Sequence, residues 1–488
     1  MEIGRLDLSD DGFKVAFLEG KLSIDCLEIK LTQKGTGTHR MYSAPGFLLL
    51  SPQNGAEGRL VVKRGEGNPY EPFQQLIESS KITAGELLPE TFYYYLEAKD
   101  VTGNVWTCDS LSVKVDSRQN AEIITFQCTY IETKIPGKTK SDFVNFVFTE
   151  DLKLPRNRAR SSSSLVRGQE RHLIRSEAFS GEVAGMQVHY HPCDLDFEGE
   201  AFEFTAIAKE GEGMPAWVDL RLLEALRFCT ATRAMPVMSE VSRAGKRVIQ
   251  LSKGYPLKGG GLVQRPLLDL GASKDVFRLM ESYFNFARTN AKEDVATPLS
   301  VRLENLYTLR DVWLQSVLLL VCVTAEGILE DALFKPLGAP QGDNLKAIDK
   351  ILEAVSKADV KPILIERAQS SMSSMKSSRA IDRMFALASI GALTDAEVKA
   401  WKALRNTAAH GGVEIKDSKL QQSIDRVHLV VTMIYKLAFL KIGYVGKYSD
   451  FGLNKWPTAE YDAAALIAKL ACAPQAGLSD ETEFDDLA

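Results

Sequence analysis

"TDAEVKAWKALRNTAAHGG", Thr394 to Gly412, decides how the C-terminal half of this chain is read. Thr394 with Glu397 three residues on forms a capping box, in which the hydroxyl bonds forward to a free amide and the carboxylate reaches back. Val398, Trp401, Leu404 and Ala408 then recur at the spacing of one buried helical face. Gly411 and Gly412 stop the helix. The spacing predicts a helix over 395–409, with Arg405, Asn406 and His410 at its C-terminal end. The negative pole of the helix dipole lies there and favours a cation, protonated imidazole included.

An arginine five residues before a histidine is weak on its own, because Arg167 and His172 repeat it. Context separates the two pairs. Arg405 and His410 have a capped helix, an asparagine directly after the arginine and a glycine stop. A second clue is Glu326 in "LLLVCVTAEGILEDAL", whose helical neighbours are Cys322, Val323 and Leu329. A carboxylate among such neighbours needs a partner, and Arg405 is the candidate. The alternative is a purely structural Glu–Arg pair inside a bundle.

Outward from this stretch, nearly everything after Ser273 has helical periodicity. Helices are expected over about 303–334, 345–358, 362–390, 395–409 and 421–444, packed as an up-and-down bundle. His428 is expected to pack within the last of these, beside Val427, Val430, Val431 and Ile434. Upstream, "PAWVDLRLLEALRFCTA" starts a helix at Pro215 with a stripe of Trp217, Leu220, Leu223, Leu226 and Phe228. "KGYPLKGGGLVQRP" (Lys253–Pro266) lacks the Lys-Ser/Thr of a phosphate loop and reads as a linker.

The first 210 or so residues are β-rich. Short segments at Gly58–Glu66, Thr91–Asp100, Ala121–Thr133, Asp142–Glu150 and Ala201–Glu210 carry β-branched and aromatic residues between turn formers. They suggest a sandwich or partly closed barrel. "LPRNRARSSSSLVRGQERHLIR" (Leu154–Arg175) interrupts them with six arginines and one acid. It reads as a mobile basic loop, and Arg156, Arg158, Arg160 and Arg167 are its candidates for RNA phosphate contacts. His189, His191 and Cys193 alternate as on one strand face, but no fourth zinc ligand is evident, so no metal and no cofactor is expected.

The fold class expected is thus α+β and multidomain. A β-rich sensor or regulatory domain spans 1–212, a helix and Gly-rich linker 213–270, a helical nuclease bundle 271–448, and an extension with an acidic tail 449–488. The formal charge of −5 argues against a chain that coats nucleic acid along its length. The N-terminus has no apolar signal core, and the longest apolar run, Val317–Val323, is far short of the ~18–20 residues of a membrane span. Seven scattered cysteines favour reduced thiols. The expectation is a cytoplasmic protein without membrane contact.

Together these residues resemble HEPN domains, helical bundles whose nuclease members carry Arg-x4–6-His, often with Asn after the Arg. "TAEGIL" (Thr324–Leu329) looks like that family's acidic helix segment and "RNTAAH" (Arg405–His410) like its catalytic motif. The layout, with "LLEALRF" and the ending "LKIGYVGKYSD" (Leu440–Asp450), is similar to ApeA-type anti-phage proteins. The resemblance implies a metal-independent endoribonuclease of abortive infection that cuts RNA, tRNA at the anticodon foremost. His410 and Arg405 would be catalytic, Asn406 and Glu326 would assist, the active form would be a homodimer, and a phage-derived trigger would act on the N-terminal domain. The alternative is a non-catalytic HEPN module that binds RNA or protein beside a ligand-sensing β domain.

Overall fold

The structure is a computed structural model. It describes residues 8, 11–35, 40–63, 87–137, 141–166, 169–193, 195, 199–255, 261–269, 271–292, 294–309, 312–340, 342–409 and 417–472. Two compact units emerge, one of residues 1–219 with 234–257 and the other of 220–233 with 258–488.

The first unit is built on strands that alternate buried and exposed residues, as "YYLEAKD" does. Strands β1 (Leu22–Gln33), β2 (Met41–Ser51), β3 (Gly55–Lys63), β4 (Tyr94–Asp100), β5 (Val105–Ser117) and β6 (Ala121–Cys128) pair antiparallel in the order β4-β1-β2-β3-β6-β5. Pairing of β4 with β5 closes them into a six-stranded barrel. Ile29, Leu31, Leu48, Leu60, Leu96 and Ile124 are all but fully buried, and helix α1 (Asp11–Leu18) adds Phe13 and Phe17 to the same core. Closure removes the free edges an open sheet would leave. The barrel expectation is therefore met in its stronger form.

From β5 the sheet continues through β7 (Tyr130–Pro136), β14 (Lys246–Ser252), β13 (Met238–Arg243), β8 (Phe143–Phe148), β12 (Phe202–Ile207), β11 (Met186–Pro192), β10 (Gln169–Val183) and β9 (Arg158–Val166). The structure departs from expectation at two places in this sheet. The basic segment is no mobile loop: β9 and β10 pair antiparallel, with Arg160 opposite Arg175 and Ser163 opposite His172. Ladder bonds satisfy the backbone regardless of side chain, and a charged, serine-rich strand suits the outermost position of a sheet. The segment 213–270, expected as one helix and linker, is divided. Hairpin β13–β14 returns to the sheet between β7 and β8, while helix α2 (Val218–Thr230) joins the helical unit. Trp217 lies outside α2 at a positive φ and exposed, so the buried stripe is Leu222, Ala225, Leu226, Phe228 and Cys229.

The second unit is helical: α3 (Ser273–Asn290), α4 (Pro298–Tyr307), α5 (Leu314–Leu329), α6 (Gly342–Ser356), α7 (Pro362–Ser374), α8 (Ala380–Ser389), α9 (Asp395–Ala409), α10 (Asp417–Ile442) and α11 (Ala463–Cys472), with the small hairpin β15 (Val445–Ser449) and β16 (Thr458–Asp462). Two helices expected as continuous are broken. The run 303–334 divides between α4 and α5, and 362–390 divides between α7 and α8, where Arg379 and Asp382 build a new cap. The core lies along α10, whose Val430, Val431, Ile434, Tyr435, Ala438 and Phe439 are buried. Phe228 of α2 meets Tyr283 at 4.8 Å between ring centroids and Phe439 at 6.2 Å. Beneath it Arg221 and Glu224, both buried, bond each other at 2.9 Å, and Glu224 also accepts from Thr297 at the start of α4. That network ties α2 into the helical unit.

Candidate functional site

The capping box forms as read. The Thr394 amide donates to Glu397 Oε2 at 2.8 Å, and the Glu397 amide donates to Thr394 Oγ1 at 3.3 Å. Val398, Trp401 and Leu404 turn inward, so Lys399, Lys402, Arg405 and Asn406 face outward. What sequence reading missed is the second bond of Glu397. Lys436 of α10 donates to its other oxygen at 2.6 Å, both side chains being buried. Burial raises the pKa of Glu397. Burial pulls Lys436 the opposite way, but the charge and hydrogen bond of Glu397, with Tyr448 and Asp450 adding, together outweigh it and hold the ammonium above its usual range. No periodicity in the sequence couples residues 397 and 436.

Two rungs join α9 to α5. Trp401 Nε1 donates to the Cys322 carbonyl at 3.4 Å, and Cys322 Sγ lies 3.9 Å from the Trp401 carbonyl. One turn further along both helices, Arg405 Nε donates to Glu326 Oε1 at 2.5 Å. Residue numbers rise together on both rungs, so the helices run parallel here and their C-terminal ends converge. Two negative dipole ends then favour the Arg405 cation. The guanidinium also sits 5.9 Å from the Trp401 ring centre, within reach of cation–π attraction.

The end of α5 is held independently. Arg383 donates to the Leu329 carbonyl at 2.8 Å and to Glu330 at 2.7 Å, and Lys441 pairs with Asp331. Cations on the last carbonyls of a helix satisfy groups that have no intrahelical partner. Glu326 is thereby fixed on a short, pinned segment.

The pair is open to solvent. The Arg405 side chain is 51% exposed and Glu326 31%. Nε is used on Glu326, and the terminal nitrogens carry no hydrogen bond among the described residues, which leaves a fork suited to a phosphate. Asn406 is exposed beside it. Burial, with Glu326 adding and Arg405 opposing, pushes the Cys322 thiol up to about 12, so this sulfur stays a thiol and is no nucleophile. His410 lies outside the described residues, as does Arg167.

No family model, curated protein or solved structure matches this chain.

The remaining sequence candidates are dispersed. Arg156 is occupied by Asp151 at 3.0 Å, Arg158 is exposed on β9, and Arg160 stands on the same strand. Arg156, Arg158 and Arg160 recur at every second residue, the strand period that could have revealed β9. His189 bonds Ser180 Oγ at 2.9 Å, and His191 bonds the Pro192 carbonyl at 2.8 Å. Among the described residues no three His, Cys, Asp or Glu side chains are grouped to hold a metal. Nor is any described helix long and apolar enough to cross a membrane.

Proposed function

We propose that the helical unit is a HEPN-type bundle and that the protein is a metal-independent endoribonuclease. The observation that carries this reading is Arg405: a guanidinium oriented by Glu326, exposed on the final turns of a capped helix, five residues before His410. The ribonucleotide 2′-OH attacks the adjacent phosphorus, a P–O bond forms, and the bond to the 5′-oxygen breaks, leaving a 2′,3′-cyclic phosphate and a 5′-OH. A base removes the 2′ proton and an acid supplies one to the departing oxygen. Arg405 binds the phosphate as its charge grows. Asn406 orients the imidazole or the phosphate, and Glu326 positions Arg405.

One imidazole cannot easily be base and acid in a single step, and two copies of the motif facing each other supply both. A homodimer through the helical unit is therefore part of the proposal. Leu319 and Val323, exposed on the Glu326 face of α5, support it as apolar surface that a partner would bury. The resemblance to ApeA-type proteins extends the reading to anti-phage defence, with tRNA as substrate and a phage-derived trigger at the β-rich unit.

The test is cleavage of RNA by purified protein in EDTA, with end-group analysis of the fragments. The expected result is 2′,3′-cyclic phosphate ends, lost with His410→Ala and reduced by about 10²–10³ with Arg405→Ala. Strict dependence on a divalent ion, or full activity of the His410→Ala protein, overturns the proposal. RNA binding without cleavage in every preparation instead supports a non-catalytic module.

A further inference from the structure

The barrel carries a concave site of its own, in the other unit and unrelated to Arg405. It opens on the outer face of β2, β3, β6 and β5, with a volume of about 370 Å³. Strand register arranges its walls in two rows. One runs Phe47–Arg59–Thr125–Lys114 and the other Leu49–Glu57–Gln127–Ser112. Gly58 and Phe126 lie between the rows in the floor. Gly58 is required there, because a Cβ on it would come within 2.1 Å of the Phe126 ring.

Each part of this surface asks for a different chemistry. Arg59 and Lys114 flank Thr125 from the two neighbouring strands, about 10 Å apart at the backbone, within reach of one anion placed over the threonine hydroxyl. Neither cation has a hydrogen bond or ion pair among the described residues, and Glu57 has none either. Phe47 and the exposed Leu49 offer an apolar surface to a flat ring. Glu57, a carboxylate, only accepts, so it fits a ring edge with two adjacent N–H donors. Gln127 has its amide nitrogen committed to the Asn54 carbonyl at 3.0 Å, which leaves its oxygen as a further acceptor. The volume stands at the small end of ligand sites, roughly 300–1,000 Å³, and suits a single nucleotide over a folded nucleic acid.

We infer that this pocket binds a guanine nucleoside monophosphate, with the phosphate on Arg59, Thr125 and Lys114, the base against Phe47 and Leu49, and the guanine N1–H and 2-amino group facing Glu57. Adenine presents a ring acceptor where guanine presents N1–H, and so sets a lone pair against the carboxylate.

Calorimetry on the full chain tests this with GMP, AMP, guanosine and inorganic phosphate. His410→Ala protein serves as host, so cleavage chemistry does not enter and the result is independent of the ribonuclease reading. GMP is expected to bind, and AMP about tenfold more weakly or less tightly still. The double variant Arg59→Gln/Lys114→Gln should reduce GMP to the affinity of guanosine while leaving guanosine unchanged. Glu57→Gln should narrow the gap between GMP and AMP. All three side chains point outward from the barrel, so unchanged hydrogen-exchange protection of the β3, β5 and β6 amides verifies that this unit is folded. Absence of heat at millimolar GMP, AMP binding as tight as GMP, or GMP binding indifferent to the double variant overturns the assignment.

Discussion

One helix carries two carboxylate–cation pairs and treats them in opposite ways. Near the start of α9, Glu397 and Lys436 are 2% and 8% exposed; near its end, Glu326 and Arg405 are 31% and 51% exposed. Both have short contacts, 2.6 and 2.5 Å. The difference is the surroundings. Glu397 is also bonded by the Thr394 amide, and Lys436 lies 5.7 Å from the Tyr448 ring, so each charge is enclosed. Water reaches the other pair, where Coulomb attraction is screened and the guanidinium keeps free donors. Short distance alone therefore does not separate structure from function. An enclosed pair is committed to the fold, whereas an open pair can still accept a ligand.

The largest expected effect tests the enclosed pair. Lys436→Met leaves the Glu397 charge without its partner and should destabilise the helical unit by about 3–5 kcal/mol. Because the chain has two units, a single melting midpoint mixes them. Denaturant-dependent hydrogen exchange of the α9 amides isolates the relevant unit. A loss below about 1 kcal/mol would erase the contrast.

Glu326→Gln should cost much less, about 1 kcal/mol or under, because the pair is exposed. RNA cleavage should nevertheless fall, by less than with His410→Ala. Parallel exchange and rate measurements on one preparation decide the point. A variant as unstable as Lys436→Met would make Glu326 a structural residue, and one with wild-type activity would remove it from the site.

The smallest effect concerns pH on the helix that supplies Lys436. His428 is half-buried, its ring 5.3 Å from that of Trp456, and burial holds its pKa below the usual 6.5 against the opposing charge of Asp425. The fold thus keeps this imidazole neutral while the unfolded chain takes up a proton. Stability from His428 is present above the unfolded value and is lost as pH falls through it toward the lower folded value. His428→Gln should flatten the decline in stability between about pH 7 and 5. An unchanged slope would assign the acid sensitivity to other groups.

Much of α9 was legible because its signals are local. A capping box, a stripe at helical spacing and a glycine stop act within a few residues of each other, and 395–409 formed as read. Glu326 was found by a less local argument, the cost of a carboxylate among apolar neighbours, and the structure pairs it with Arg405. The basic segment was misread because composition hid its period: four serines and six arginines cannot make a core, yet an outermost strand needs none. The division of 213–270 was equally hidden, since β13 and β14 are paired by partners about a hundred residues earlier in the chain.

Local sequence was enough for the order of the two halves, the cap and buried face of α9, and the chemical character of Arg405, Asn406 and His410. These follow from steric and hydrogen-bonding preferences within a turn or two. The tertiary structure alone decided closure of β4 on β5, the docking of α2 with the helices, and which of two similar ion pairs was buried. Each depends on groups far apart in the chain that meet only after collapse, and the dielectric around a charge does not exist until they have met.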